Sequence, residues 1–452
     1  MRMQQVINTS NYRYLKFTNF NELGFWDYYT LSHQNEINSA YKIVELRTVL
    51  KQRKEIITIN DNQSYKRCRV QIQGKGVVLR DKVLGKEIKT KKQQLCKPND
   101  FLVAEIDAKV GGFGIVPKEL EDAVVSSHYF LFDIDTSQLL PEFLGVLVKT
   151  NGFLKQVKST GSTNYSAIRP YHVLGYKIPL PSIKEQENIL KEYNSKISKA
   201  VALKSQADNI ELEIEKYFLD ILGVEKNTQK TVKKGLQIFQ FKDFTRWDVW
   251  VNQSLTNYKN VKPIQFKEIV IGKPMYGANV KGVQRKSDTR YIRITDINEN
   301  GTLNDEFVSP EIVDDKFLLK ENDFLIARSG NTVGKTFLYK EQYGKAIYAG
   351  YLVKYNIDTS KVAPEYLLEY TKSYTFKNWI HSNQRVAGQP NINGQEYLQA
   401  PIICPSMEEQ MKIVKEISAK RELVQNIIKD RDYILCTAQI EFEQKIFDHY
   451  AD

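Results

Sequence analysis

Ten residues beginning at Lys97, KPNDFLVAEI, return as KENDFLIARS at Lys320–Ser329. IDTSQLLPEFL at Ile134–Leu144 returns as IDTSKVAPEYL at Ile357–Leu367, and both pairs lie 223 residues apart. PLPSIKEQENIL (Pro179–Leu190) and ICPSMEEQMKIV (Ile403–Val414) follow at an offset of 224. The entry segments agree loosely, Leu15–Asp27 with Phe239–Asp248. Four ordered matches at one offset make the chain a duplication of the form unit, helix, unit, helix, and any fold must be built twice. Strand-like and helix-like stretches mix within each unit, so the expected class is mixed α/β (α+β).

Each unit closes on Pro-Ser-x-x-Glu-Gln: Pro181, Ser182, Glu185 and Gln186, then Pro405, Ser406, Glu409 and Gln410. Serine followed three residues later by glutamate is a capping box, and proline before it stops the helix extending backwards. Apolar residues then recur at spacings of three and four. They are Leu190, Tyr193, Ile197, Ala200, Ala207, Ile214, Phe218 and Ile221 in the first helix. In the second they are Val414, Ile417, Val424, Ile428, Leu435, Ala438 and Phe442. The frame breaks at Lys204, Glu211, Arg421 and Arg431. Forty helical residues would extend about 60 Å, and such a stripe needs a partner, so the two helices are expected to pair as a coiled coil. Packing of each helix on its own unit is the alternative. The lysine-rich stretch Gly223–Gly235 reads as a linker.

The segment SGNTVGKT (Ser329–Thr336) looks like a phosphate loop, yet the position five before Gly334 is Ser329 and not glycine. The repeat sets Lys335 opposite Gly112 and keeps only the Val-Gly pair, Val110-Gly111 and Val333-Gly334. A strand–turn–strand hairpin explains this better than an NTPase site built on Lys335.

The formal net charge of +11 and pI near 9.1 suggest a polyanionic partner. Residues 63–97 hold eleven Lys/Arg against two acids, and residues 262–293 hold eight against two. These matched clusters nominate Lys66, Arg67, Arg69, Lys75 and Arg80 in the first unit as DNA contacts. In the second they nominate Lys281, Arg285, Lys286, Arg290 and Arg293, with Arg328 and Lys335 from the hairpin. A polar loop precedes each capping box. It offers Ser162, Thr163, Asn164, Tyr165 and Arg169 in one unit, and Gln384, Arg385, Gln389, Asn391 and Asn393 in the other. Asn, Gln and Arg can pair bidentately with base edges.

No apolar run is long enough to span a bilayer, the N-terminus lacks a signal-peptide core, and Cys68, Cys96, Cys404 and Cys436 are scattered. A cytoplasmic setting without membrane contact is expected. Five histidines (His33, His128, His172, His381, His449) show no ligand spacing. An amino-methyltransferase tetrapeptide is absent, and Glu87-Ile88-Lys89 lacks the upstream Pro-Asp of a nuclease. No catalytic residue, metal site or cofactor is expected.

The duplicated KIPLPSIKEQENIL (Lys177–Leu190) and APIICPSMEEQMKIV (Ala400–Val414), each opening a long helix, resemble the specificity (S) subunit of type I restriction-modification enzymes. The resemblance implies two target recognition domains, residues 1–181 and 236–405, each reading half of a split site in double-stranded DNA. It implies that residues 182–235 and 406–452 supply two antiparallel helices as a spacer, with pseudo-two-fold symmetry. Two methyltransferase subunits would dock there, with room for restriction subunits. S-adenosylmethionine and ATP would then be bound by those partners. The alternatives are a specificity subunit of a related type II system, the Lys335 NTPase, and an RNA-binding scaffold.

Overall fold

A computed structural model describes residues 37–72, 74–157, 167–226, 256–258, 261–284, 287–384 and 389–447. The chain divides into two units, residues 1–202 with 430–452, and residues 203–429.

In the first unit, β1 (Ile43–Glu45), β2 (Leu50–Arg53), β3 (Ile56–Thr58), β4 (Ser64–Gln71), β5 (Gly76–Leu84) and β6 (Lys92–Leu95) come first. They are followed by β7 (Phe101–Ala104), β8 (Phe113–Ile115), β9 (Val124–Val125) and β10 (Tyr129–Ile134). Helices α1 (Pro141–Leu147), α2 (Asn151–Leu154) and α3 (Pro170–Gly175), then β11 (Lys177–Pro179), lead into the long α4 (Ile183–Ile221). A four-stranded sheet runs β2-β10-β7-β8, β1 pairs β11, and the five-stranded sheet β3-β6-β9-β4-β5 is built mainly from the basic segment.

The second unit carries β12 (Val224–Lys226) paired with β13 (Thr256–Tyr258), then β14 (Ile264–Gln265), β15 (Val270–Tyr276), β16 (Gly282–Gln284), β17 (Arg290–Ile292) and β18 (Val308–Pro310). Next come β19 (Phe324–Ala327), β20 (Thr336–Leu338), β21 (Ala346–Tyr348) and β22 (Leu352–Ile357). Helices α5 (Pro364–Lys372), α6 (Tyr374–Asn383) and α7 (Gly394–Tyr397), then β23 (Pro401–Ile402), precede the long α8 (Met407–Ile446). Its four-stranded sheet runs β15-β22-β19-β20, and β14 pairs β23. Strands β7, β8 and β10 shifted by 223 coincide with β19, β20 and β22, so the duplicated sequence folds as a duplicated framework. The equivalent of the five-stranded sheet is replaced by the pairs β16–β18 and β17–β21.

The matched words are turn chemistry. Asn99 and Asn322 take φ of 69° and 68°, a left-handed turn that asparagine tolerates. Asp100 and Asp323 accept the amides of Lys97 and Lys320 at 2.6 and 2.8 Å. In the Asp-Thr-Ser words, Asp135 and Asp358 each accept a serine hydroxyl at 2.6 Å, closing an Asx turn before the next helix. Gly111 and Gly334 take φ of 79° and 87°, which is why the glycine of each Val-Gly pair recurs. Strand β20 follows Gly334-Lys335 directly, pairing antiparallel with β19, so the segment is the expected hairpin and no helix receives a phosphate.

Both capping boxes form, Ser182 and Ser406 amides donating to Glu185 and Glu409 at 3.0 and 3.1 Å. The glutamine that follows does more than continue the helix. Gln186, fully buried, accepts the Leu140 amide at 2.9 Å and donates to the Gln138 and Pro181 carbonyls at 2.8 and 2.9 Å. Gln410 repeats this with Ala363, Lys361 and Pro405 at 2.8, 3.1 and 2.9 Å. Each glutamine therefore fastens a long helix to the loop entering α1 or α5.

Within each unit the two long helices run antiparallel. In the first, Glu192 and Lys196 of α4 meet Lys445 and Glu441 of α8. In the second, Glu211 and Glu213 meet Arg421 and Lys420, at 2.6 Å and 2.8 Å. Phe442 enters the first core, its ring 5.5 Å from Phe143 and 5.6 Å from Tyr193, and its counterpart Phe218 enters the second, 6.1 Å from Tyr366 and Tyr370. The seam departs from the expected heptads. Ile413 and Ile427 are buried where Val414 and Ile428 are only partly covered, and Ile221 and Leu435 are exposed. A helix that packs on a sibling helix and on its own unit presents a broader stripe than a strict coiled-coil seam. The broken frame at Glu211 and Arg421 is an ion pair, extended by Glu369 at 3.2 Å from Arg421 and by Lys372 at 2.6 Å from Glu369. The expected linker begins in ordered structure, since Val224 is buried in β12; residues 227–235 lie outside the described residues, as do Leu15–Asp27 and Phe239–Asp248.

Candidate nucleic-acid interface

The basic segment of the first unit folds into the β4–β5 hairpin and its neighbours, where alternation sends every second side chain outward. Arg67 is held by Asp81 across the hairpin through two hydrogen bonds of 2.6 Å, which lower the Asp81 carboxyl below its ordinary pKa. Lys66 donates to the Glu119 carbonyl at 3.0 Å, and Arg80 lies 3.6 Å from Asp81. Arg69 and Lys75, with Lys82, Lys86, Lys89 and Lys92, are exposed and have no carboxylate partner among the described residues. The positive surface therefore rests on these six and on the outer part of Arg80.

In the second unit three of the five nominated cations among the described residues are tied down. Arg290 donates to the carbonyls of Asn304 and Glu306 at 2.6 and 2.9 Å. Arg293 grips Asp296 at 2.6 Å and Glu306 at 3.1 Å, the Asp296 hydrogen bond raising its pKa further. Lys335 pairs with Glu299 at 2.8 Å, so its ammonium faces a carboxylate rather than an anion cradle. Lys281 is exposed. Arg285, Lys286, Arg385, Ser162, Thr163, Asn164 and Tyr165 lie outside the described residues.

The two polar loops dock in the same way. The Ile168 amide donates to the Glu105 carbonyl at 3.0 Å, and the Ile392 amide to the Arg328 carbonyl at 3.0 Å. Glu105 and Arg328 are equivalent by the 223 offset, and their amides donate to the equivalent His128 and Tyr351 carbonyls at 2.9 and 3.0 Å. On this shared backbone the side chains differ in kind. In the first unit Glu105 joins Arg169 at 2.6 Å and His128 at 2.8 Å. Arg169 also takes the cap position of α3, its amide donating to His172 Nδ1 at 2.8 Å. Burial, and then the Arg169 charge, lower the His172 pKa, which favours the neutral ring, and the donated Arg169 amide makes Nδ1 its acceptor. In the second unit the Arg328 guanidinium lies over the rings of Tyr276 and Tyr351, 5.0 and 5.9 Å from their centroids. Asn391 bridges Ser329, while the Asn393 side chain caps α7, accepting from Gln395 and Glu396 at 2.9 and 3.0 Å. Gln384 bonds His381 at 3.3 Å, and Gln389 is exposed.

A family model described as the type I restriction modification DNA specificity domain matches residues 1–213 and 258–430, most of the chain. The chain belongs to this family. Among curated proteins it resembles the type I restriction enzyme EcoBI specificity subunit of Escherichia coli, 23% identical over 251 residues, which are 53% of this chain and 50% of that protein. The chain thus spans about half the length of the curated relative it matches. A solved chain from work on complex assembly and conformational transition of the type I R-M system shares the fold, with a TM-score of 0.51 at 13% identity, covering 91% of this chain and 99% of that one. Among the described residues no helix is long and apolar enough to cross a membrane.

Sequence reasoning missed Glu105, His128, Tyr276 and Tyr351 at the loop sites, and the clamping role of Gln186 and Gln410. Applying the 223 offset to single residues beside each loop would have found the Glu105/Arg328 and His128/Tyr351 pairs. The Tyr276 contact needed the fold.

Proposed function

We propose that the chain is a non-catalytic DNA specificity subunit, each unit reading one half of a bipartite target in double-stranded DNA. The observation that carries this reading is one backbone frame, built twice, presenting unlike side chains at equivalent points: Glu105, His128 and Arg169 against Arg328, Tyr351 and Asn393. A repeated scaffold with divergent readers suits two different half-sites better than one enlarged site. Exposed Arg69, Lys75 and Arg80 in one unit, and Lys281 in the other, supply sequence-independent attraction to phosphates. The four-part division at residues 181, 235 and 405 assigns the readers to the units and the spacer to α4 and α8. Two methyltransferase subunits, and restriction subunits where present, carry the chemistry in the cytoplasm.

The test is co-expression with the methyltransferase subunits and sequencing of modified bases. Exchanging residues 41–181 for those of another member should change one half-site and leave the other. Change in both halves, or methylation independent of this chain, would overturn the reading.

A further inference from the structure

Resting on that reading, we propose that Arg328 is the specificity-determining residue of the second unit and reads a guanine through its O6 and N7. Arg328 is half-buried, and no carboxylate pairs with it among the described residues. This sets it apart from Arg290, Arg293 and Lys335, whose hydrogen bonds are already made within the unit. Its Nε donates to the Gly350 carbonyl at 3.2 Å, which fixes the plane of the guanidinium. The guanidinium lies over both the Tyr276 and Tyr351 rings, and the Tyr276 hydroxyl is itself anchored, accepting the Gly394 amide at 3.1 Å. Both Nη groups are without a hydrogen-bond partner among the described residues.

A half-desolvated cation with its fork open is costly unless a ligand completes it. Two parallel N–H donors held in one plane match the O6/N7 edge of guanine in the major groove. A phosphate could use the same fork, but phosphate contacts do not need a clamped plane; an exposed lysine serves as well. The surroundings fit a base edge too. Gly330 takes φ of +71°, and a Cβ there would sit 3.0 Å from Gln389 Nε2, so the loop carrying Gln389 and Asn391 closes directly beside Arg328. The equivalent first-unit position holds Glu105, already saturated by Arg169 and His128, so the guanine preference belongs to one half-site only.

The experiment compares Arg328→Ala, Arg328→Lys and wild type in the assembled methyltransferase complex, reading modified bases genome-wide. In wild type, the half-site assigned to the second unit by the 41–181 exchange should contain an invariant G·C pair. Both variants should relax that position, by about 5- to 150-fold in preference, with the other half-site unchanged. Retention of preference by Arg328→Lys, with a uniform salt-dependent loss in Arg328→Ala, would mark a phosphate contact and overturn the proposal. So would unchanged specificity in both variants, or the absence of an invariant G·C pair. If Arg328→Ala fails to assemble, Arg328→Lys alone decides. Methylation that never depends on this chain would instead defeat the underlying reading.

Discussion

Replacing Gln186 or Gln410 by leucine tests the fastening of each long helix, with the other copy as an internal control. The substitution keeps roughly the same volume but strips three hydrogen bonds from a fully buried site. In the first unit the Leu140 amide is orphaned, and the Gln138 and Pro181 carbonyls each lose a donor. An unsatisfied buried amide costs about 1–3 kcal/mol, and a carbonyl with a second lone pair lies at the low end of that range. Leu140 is only partly covered and Gln138 is exposed, so water replaces part of the loss and a total of about 2 kcal/mol is expected, equivalent to roughly a thirtyfold change in an opening equilibrium. Hydrogen exchange read by mass spectrometry on peptides covering 182–190 and 406–414 would measure it. Gln186→Leu should accelerate exchange by about that factor at the first junction only, and Gln410→Leu at the second only. A change below about twofold, or equal loosening of both junctions by either variant, would refute the clamp.

Two further outcomes follow from the charges. Arg421→Ala should destabilise the second unit by about 2 kcal/mol; half-exposed Glu211 limits the cost, and Lys372 still serves Glu369. The first unit has Ile197, Leu435 and Val146 at the equivalents of Arg421, Glu211 and Glu369. With Lys372→Met added so that no buried ammonium is stranded by the loss of Glu369, the combined Arg421→Ile, Glu211→Leu and Glu369→Val variant should therefore be near neutral or more stable in urea unfolding; a loss larger than that of Arg421→Ala would contradict this. For Asp81, the Arg67 hydrogen bonds hold the folded pKa below 3.8. Its stabilisation is thus complete above pH 3.8 and lost as pH falls through the folded value. A carboxyl NMR titration should show a depressed midpoint that rises in Arg67→Gln, and an ordinary midpoint in wild type would sink the ion pair.

The duplicated framework was legible because its signals are local. Asn-Asp turns, Asp-Thr-Ser turns, the Val-Gly hairpin and the Ser-x-x-Glu caps each satisfy backbone groups within a few residues, so they leave recognisable words. What the words could not show was non-local. The five-stranded sheet depends on two-residue β9 reaching both β6 and β4, from nearly thirty residues beyond β6. Whether a cation is available depends on partners distant in sequence: Lys335 on Glu299, Arg169 on Glu105. Composition counted these cations alike, and only the fold separates spent charges from open ones.

That separation bears on the proposal that one scaffold serves two half-sites. The loop beside Glu105 and the loop beside Arg328 are held by main-chain bonds, from Ile168 and Ile392, that are indifferent to the side chain at the docking point. A carboxylate that gathers Arg169 and His128 can therefore stand where a guanidinium over two tyrosine rings stands in the other copy. The strands, caps and buried glutamines that both copies share lie outside this position, and each copy makes its own side-chain contacts there. The two copies carry opposite charges there on the same main-chain frame, so under the proposed reading this site can diverge in what it offers a base pair while the sheets on either side keep their register.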